Sequence, residues 1–131
     1  MSVELTMLAY AVTLLIALVL IQAIAGILAN GLATQAGNRD TLPPPKTFHG
    51  RASRTVANHI EGLVMFAPLV LLAAIISVST PTTVLGAQIF AYARLAHAVI
   101  YLLGLPWLRA VAWAAGMVGI GMMLAGVMGW A

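Results

Sequence analysis

Two groups of polar residues in this otherwise apolar chain have spacings that could support binding chemistry. They are Arg51, Arg54, Asn58 and Glu61 in the first group and Arg94, His97 and Tyr101 in the second. Within each group the residues recur every three or four positions, which places them on one face of a helix. Guanidinium, amide and phenol groups gathered on such faces favour the binding of a polar, anionic ligand.

The composition shows which solvent surrounds these groups. Hydrophobic residues make up 63% of the 131 residues and charged residues only 7%, and the mean hydropathy is +1.06. A soluble domain carries about 25% charged residues. The sequence therefore predicts a single integral membrane domain over residues 1–131. A charge at the bilayer centre costs about 2.5–3.5 kcal/mol, so each intramembrane charge needs a partner or a function.

Four apolar segments are long enough to cross a bilayer as helices. The predicted spans are approximately residues 5–29, 62–80, 84–105 and 107–130. The connection at 30–50 contains three consecutive prolines and is predicted to be an extended loop. The fold class expected from this pattern is an all-α integral membrane protein with a bundle of four transmembrane helices.

The placement of Lys and Arg predicts the orientation of the chain. Four of the six cations lie in the first connection and at the start of the helix that follows, and Arg109 opens the fourth span. The positive-inside rule then places the 30–50 loop in the cytoplasm and both termini outside it. Both polar groups and Arg109 are expected in one layer near the cytoplasmic face. A bacterial inner membrane is the expected location.

The residues themselves leave two interpretations of this polar layer. In the first, Arg94, His97, Tyr101 and Arg109 form a site whose surplus of positive charge suits an anion. In the second, the role is structural: Glu61 neutralises a nearby arginine, Asn58 bridges helices and Arg51 extends to the headgroups. No metal site is expected, because the chain has no cysteine and its other histidines lack partners at ligand spacing. Six unclustered cations do not predict nucleic-acid binding.

The two motifs in register resemble those of the MAPEG family, the membrane-associated proteins of eicosanoid and glutathione metabolism. The resemblance covers nearly the whole chain and is carried by Arg54-x-x-x-Asn58-x-x-Glu61, Arg94-x-x-His97-x-x-x-Tyr101 and Arg109. It implies a homotrimer that binds glutathione, as a co-substrate, between neighbouring subunits. It also implies that the residues of the two motifs contact glutathione and that Arg109 stabilises the thiolate.

The function implied by the resemblance is a membrane-bound glutathione transferase or peroxidase that acts on hydrophobic electrophiles. Membrane lipid and a hydrophobic small molecule are the expected partners. Ala57 and Trp113 depart from the arginine and tyrosine that glutathione-using members carry at these positions. This departure motivates an alternative, a non-catalytic member that binds lipid or another small ligand. A third hypothesis is a structural trimer in which the charges only hold helices together.

Overall fold

The computed structural model describes residues 1–131 and consists of helices without any strand. In chain order they are α1 (Val3–Asn30), α2 (Leu32–Ala36), α3 (Thr47–Ile75), α4 (Pro81–Leu103) and α5 (Pro106–Val127). All except the short α2 are long and apolar enough to cross a membrane. The predicted fold class, an all-α membrane protein with four spanning helices, is confirmed.

The ends of α4 show how local sequence sets the helix bounds. Thr80 and Thr83 form a capping box, in which each side chain bonds the backbone N–H of the other. Pro81 occupies the first helical position, where no N–H is needed. Gly104 ends the helix in the left-handed conformation, with φ 80°, which glycine adopts without steric cost.

The helix bounds differ from the predicted spans mainly in α3. This helix begins at Thr47, well before the predicted span at 62. The predicted span began later because the first turns of the helix carry the polar face and lack an apolar run. It ends at Ile75, before the predicted limit of 80. Ser77 has a positive φ of 56°, and Thr80 is extended, as expected for the residue before a proline. The predicted loop 30–50 contains α2.

The four long helices meet in a core around two stacked phenylalanine rings. Phe66 of α3 and Phe90 of α4 are fully buried, and their ring centroids lie 4.0 Å apart. Met7 and Ala11 of α1 and Met123 of α5 pack in the same cluster. The core therefore holds α3 and α4 in fixed register, and the polar faces of these two helices are brought together.

Helices α4 and α5 approach each other closely through glycines. A Cβ added to Gly119 would lie 2.6 Å from the Gly86 carbonyl oxygen and 2.7 Å from the Phe90 backbone nitrogen. Gly121, two residues further along α5, has nothing within 4 Å of the same position. Small residues at such contacts let membrane helices pack backbone to backbone. Gly119 is therefore one of the residues that permit the short α4–α5 distance, together with Gly86, which faces it on α4.

We expect Gly119→Ala to destabilise the protein, because its methyl group would meet backbone atoms that cannot rotate away. Overpacking of this kind costs about 1–3 kcal/mol. Thermal unfolding in detergent should show a clear fall in midpoint for Gly119→Ala. Gly121→Ala, the matched control, should unfold within a degree or two of the wild type. Equal midpoints for the two variants would contradict the close approach.

Candidate functional site

Three arginines surround a cavity where α3 begins, α4 ends and α5 begins; we call this side of the bundle the arginine end. The cavity has a volume of about 270 Å³. Its lining consists of Arg51, Arg54, Tyr101, Gly104, Leu105, Pro106 and Arg109. No carboxylate is among these residues, and arginine stays charged in proteins. The cavity therefore has a concentrated positive charge and is suited to an anion.

Tyr101 lies between two of these guanidinium groups. Arg54 Nε donates a hydrogen bond of 3.1 Å to Tyr101 Oη, so the phenolic proton remains available for a ligand. The Arg109 guanidinium lies 4.8 Å from the centroid of the Tyr101 ring, a distance typical of cation–π contact. Arg109 thus packs on the ring and keeps its N–H groups available for a ligand. These contacts bring together Arg54, Tyr101 and Arg109, which the sequence places only in a common layer.

Arg51 also belongs to this cavity, although of the two interpretations of its sequence position a side chain extending to the headgroups is the favoured one. Its Nε donates to the Leu102 carbonyl oxygen at 3.1 Å. That carbonyl lies in the last turn of α4, where carbonyl groups lack partners within the helix. Arg51 therefore caps α4 and adds the third positive charge to the cavity.

Arg94 is buried deeper in the bundle, with 3% of its surface exposed. Its Nη2 donates to Asn58 Oδ1 at 2.8 Å, and its Nε donates to His59 Nδ1 at 3.4 Å. Since the Ala11 carbonyl can only accept, His59 donates to it through Nε2, at 2.8 Å. This chain of hydrogen bonds joins α1, α3 and α4 and fixes the position of the Arg94 guanidinium.

His59 is the residue that the motif analysis missed. It is 1% exposed, and it follows Asn58 directly, so it lies about 100° further around the helix and outside the polar face. A signal for its burial does exist in the sequence. His59 continues the row of buried α3 residues that runs Ala52, Thr55, Val56, His59, Gly62 and Phe66. A histidine in such a row must find its partners inside the bundle.

A second, smaller cavity of about 80 Å³ lies beside Arg94, between α3 and α5. Its polar lining comes from Asn58, Glu61 and Arg94, and its apolar lining includes Met65 and Trp113. Glu61 is exposed at the surface of the single chain. This cavity therefore offers a carboxylate, an amide and a buried guanidinium to a ligand at the α3–α5 surface.

His97 lies on the same face of α4 as Arg94 and Tyr101 but lines neither cavity. It is 1% exposed, and neither ring nitrogen has a partner. Its ring meets that of Tyr101 edge to face, with centroids 5.5 Å apart. The predicted site residues thus divide into three places. Arg54, Tyr101 and Arg109 line the first cavity, Asn58, Glu61 and Arg94 line the second, and His97 is buried beside both.

Comparison with protein families gives a match over nearly the whole chain. The model of the MAPEG family matches residues 7–129. The chain belongs to the MAPEG family. No curated protein and no solved structure gives a significant match. MAPEG membership and the four apolar helices make this an integral membrane protein with a role in glutathione or eicosanoid metabolism.

Proposed function

We propose that this MAPEG protein is a membrane-bound glutathione-dependent transferase or peroxidase that acts on hydrophobic electrophiles. The observation that carries the proposal is the cavity formed by Arg51, Arg54, Arg109 and Tyr101, which contains no carboxylate. Glutathione is a small peptide with two carboxylates, one ammonium group and a thiol that becomes an anion when it reacts. A cavity with three fixed positive charges fits the anionic part of such a molecule.

The second cavity suits the remainder of the peptide. Glu61 is the carboxylate next to the buried Arg94 and Asn58, and an ammonium group is its natural ion partner. The hydrogen bonds from Arg94 to Asn58 and His59 hold this region rigid before ligand arrives, which lowers the entropic cost of binding. We assign Arg54, Asn58, Glu61, Arg94 and Tyr101 to direct contact with glutathione. His97, which lines neither cavity, would serve binding by holding the Tyr101 ring through their edge-to-face contact.

Arg109 is the residue we assign to catalysis. A guanidinium group is always charged at physiological pH, and a neighbouring cation lowers the pKa of a thiol. Glutathione bound with its sulfur near Arg109 would therefore lose its proton more readily. In the transferase reaction the thiolate attacks an electrophilic carbon, a carbon–sulfur bond forms and the leaving group takes the electron pair. With a hydroperoxide, the thiolate attacks oxygen, the O–O bond breaks and a second glutathione completes the reduction.

The proposed substrate class follows from where the site opens. Trp113 and Met65, which line the second cavity, are both exposed on the surface of the chain. In an integral membrane protein this surface faces lipid or another subunit. Apolar electrophiles concentrate in the bilayer, so they would reach the thiolate from this side without crossing water.

The exposure of Glu61 supports a homotrimer, the assembly that MAPEG proteins generally form. Glu61 is the middle residue of α3, whose 29 residues exceed the hydrocarbon thickness. It therefore lies inside the hydrocarbon region wherever the helix is placed along the membrane normal. A carboxylate facing acyl chains there would be costly. A neighbouring subunit packed on the α3–α5 surface would remove this cost and complete the site.

We also propose that the arginine end faces the cytoplasm and that both termini lie outside it. Arg39, Lys46, Arg51, Arg54 and Arg109 all lie at this end, in or beside the connections between helices. Positive residues in short connections favour the cytoplasmic side. A bacterial inner membrane is the location we propose.

Glutathione should stabilise the folded protein if the site is where we place it. A ligand at 100 times its Kd stabilises by about 2.7 kcal/mol. We expect millimolar glutathione to raise the unfolding temperature of the detergent-solubilised protein. Glu61→Gln and Arg94→Ala should abolish this shift, whereas Arg39→Ala, a loop arginine outside both cavities, should keep it.

Two outcomes would contradict the proposal in different ways. If glutathione gives no shift in the wild type but lipid co-purifies, the protein is the non-catalytic binding member that Ala57 and Trp113 suggest. If the shift is unchanged in Glu61→Gln, glutathione binds elsewhere. Arg94→Ala is informative only when its unfolding temperature without glutathione matches that of Arg39→Ala.

A further inference from the structure

A buried carboxylate lies at the opposite side of the bundle from the arginines; we call this side the Glu4 end. Glu4, in the first turn of α1, is only 2% exposed. Its Oε1 accepts hydrogen bonds from Thr83 Oγ1 at 2.7 Å and from Ser79 Oγ at 2.9 Å. Its Oε2 is buried and has no donor within the protein. One half of this carboxylate is therefore fully bonded and the other half lacks a partner.

The surroundings of Glu4 favour its charged form. Glu4 lies at the N-terminus of α1, and Thr83, which donates to it, lies in the first turn of α4. Both helix dipoles thus present their positive ends to the carboxylate. The six Lys and Arg side chains of the protein give no counter-charge here, because five lie at the arginine end and Arg94 lies beside Asn58. A buried carboxylate oxygen without a hydrogen bond is stabilised most strongly by a positively charged donor.

A cavity adjoins this carboxylate and has room for such a donor. Its volume is about 240 Å³, several times the roughly 30 Å³ that one water molecule occupies in the liquid. The polar lining comes from Ser2, Glu4, Ser77 and Ser79, and the apolar lining from Leu5, Val70, Ala73, Ala74 and Val78. The lining therefore includes both oxygen atoms and hydrocarbon.

We propose that this cavity binds a primary ammonium group attached to a short carbon chain. An ammonium group has three N–H donors and no acceptor. One donor would satisfy Glu4 Oε2, and serine hydroxyl oxygens at the rim would accept from the others. The apolar lining residues would cover the attached carbons. The ligand is either the ethanolamine headgroup of a phospholipid or a free small amine, which present the same group.

This site is independent of the proposed glutathione chemistry. It lies at the other end of the bundle, and Glu4 belongs to neither cavity at the arginine end. Its test therefore needs no enzymatic activity. Binding can be read from the unfolding temperature and from the mass of protein–lipid complexes.

The experiment compares cations of equal charge that carry N–H donors with cations that carry none. Delipidated protein is titrated with propylammonium or tetramethylammonium chloride at equal ionic strength, with sodium chloride as the salt control. In parallel, native mass spectrometry compares phosphatidylethanolamine with phosphatidylcholine of identical acyl chains. We expect the primary ammonium member of at least one pair to bind at least tenfold more tightly. Glu4→Gln, which keeps an acceptor for Thr83 and Ser79 but removes the charge, should abolish the preference.

Ala74→Leu is the second variant, since it narrows the cavity without touching the hydrogen bonds of Glu4. It decides the question if Glu4→Gln does not fold, and it too should lose the preference. If phosphatidylethanolamine is preferred to phosphatidylcholine but propylammonium is not preferred to tetramethylammonium, the ligand is the lipid headgroup. If propylammonium is also preferred, the site accepts a free amine. Equal binding within both pairs, an equal effect of sodium, or a preference that survives in both variants would overturn the proposal.

Discussion

Arg109→Ala is expected to lower the rate of glutathione conjugation by about 10²–10³-fold, the usual effect of removing one group that stabilises a developing anion. The physical reason is that Arg109 would act on the thiolate and not on the rest of the peptide. Arg51 and Arg54 remain in the same cavity and continue to attract the carboxylates. The affinity for glutathione should therefore change much less than the rate.

Steady-state kinetics with an aryl halide as the electrophile would measure the rate, and the ultraviolet absorbance of the bound thiolate would measure ionisation directly. Arg109→Lys keeps the charge but loses the planar fork of donors. It should therefore retain part of the conjugation rate and part of the thiol ionisation. Arg39→Ala controls for the loss of a positive charge at the same side of the protein. Unchanged kinetics in Arg109→Ala would remove this residue from the mechanism.

The four spanning helices could be predicted because each contains a long apolar run, which has few alternatives in a membrane. The ends of α3 could not be predicted in the same way. The first turns of α3 are polar, and the break between α3 and α4 depends on Ser77 and on the capping box of Thr80 and Thr83. Helix ends are set by single backbone contacts, which leave little trace in hydropathy.

Helix periodicity likewise placed Arg94, His97 and Tyr101 on one face of α4, and the edge-to-face contact of His97 with Tyr101 agrees with that placement. Periodicity does not say which residue of another helix each side chain meets. The partners of Arg94 lie 36 and 35 positions away in the chain, and those of Glu4 lie 79 and 75 positions away. Such pairings follow from the packing of the bundle around Phe66 and Phe90.

The division of the proposed glutathione residues between two cavities leads to a second prediction with a large effect. Arg109 lies in the first cavity and Glu61 on the exposed α3–α5 surface. If a neighbouring subunit covers Glu61, each complete site combines the first cavity of one subunit with the Glu61 surface of the next. Two inactive variants, Arg109→Ala and Glu61→Gln, should then restore activity when they assemble together.

In a cyclic trimer with random mixing, a site is intact when the subunit giving Arg109 is the Glu61→Gln variant and its neighbour is Arg109→Ala. About one site in four meets this condition, so co-expressed variants should reach about a quarter of wild-type activity. Two controls should have activity near background. The first is each variant expressed alone, and the second is a trimer in which every subunit carries both substitutions. If both residues act within one subunit, every site in the mixture lacks one of them and no activity returns. Complementation thus distinguishes a site shared between subunits from one enclosed by the four helices of a single chain.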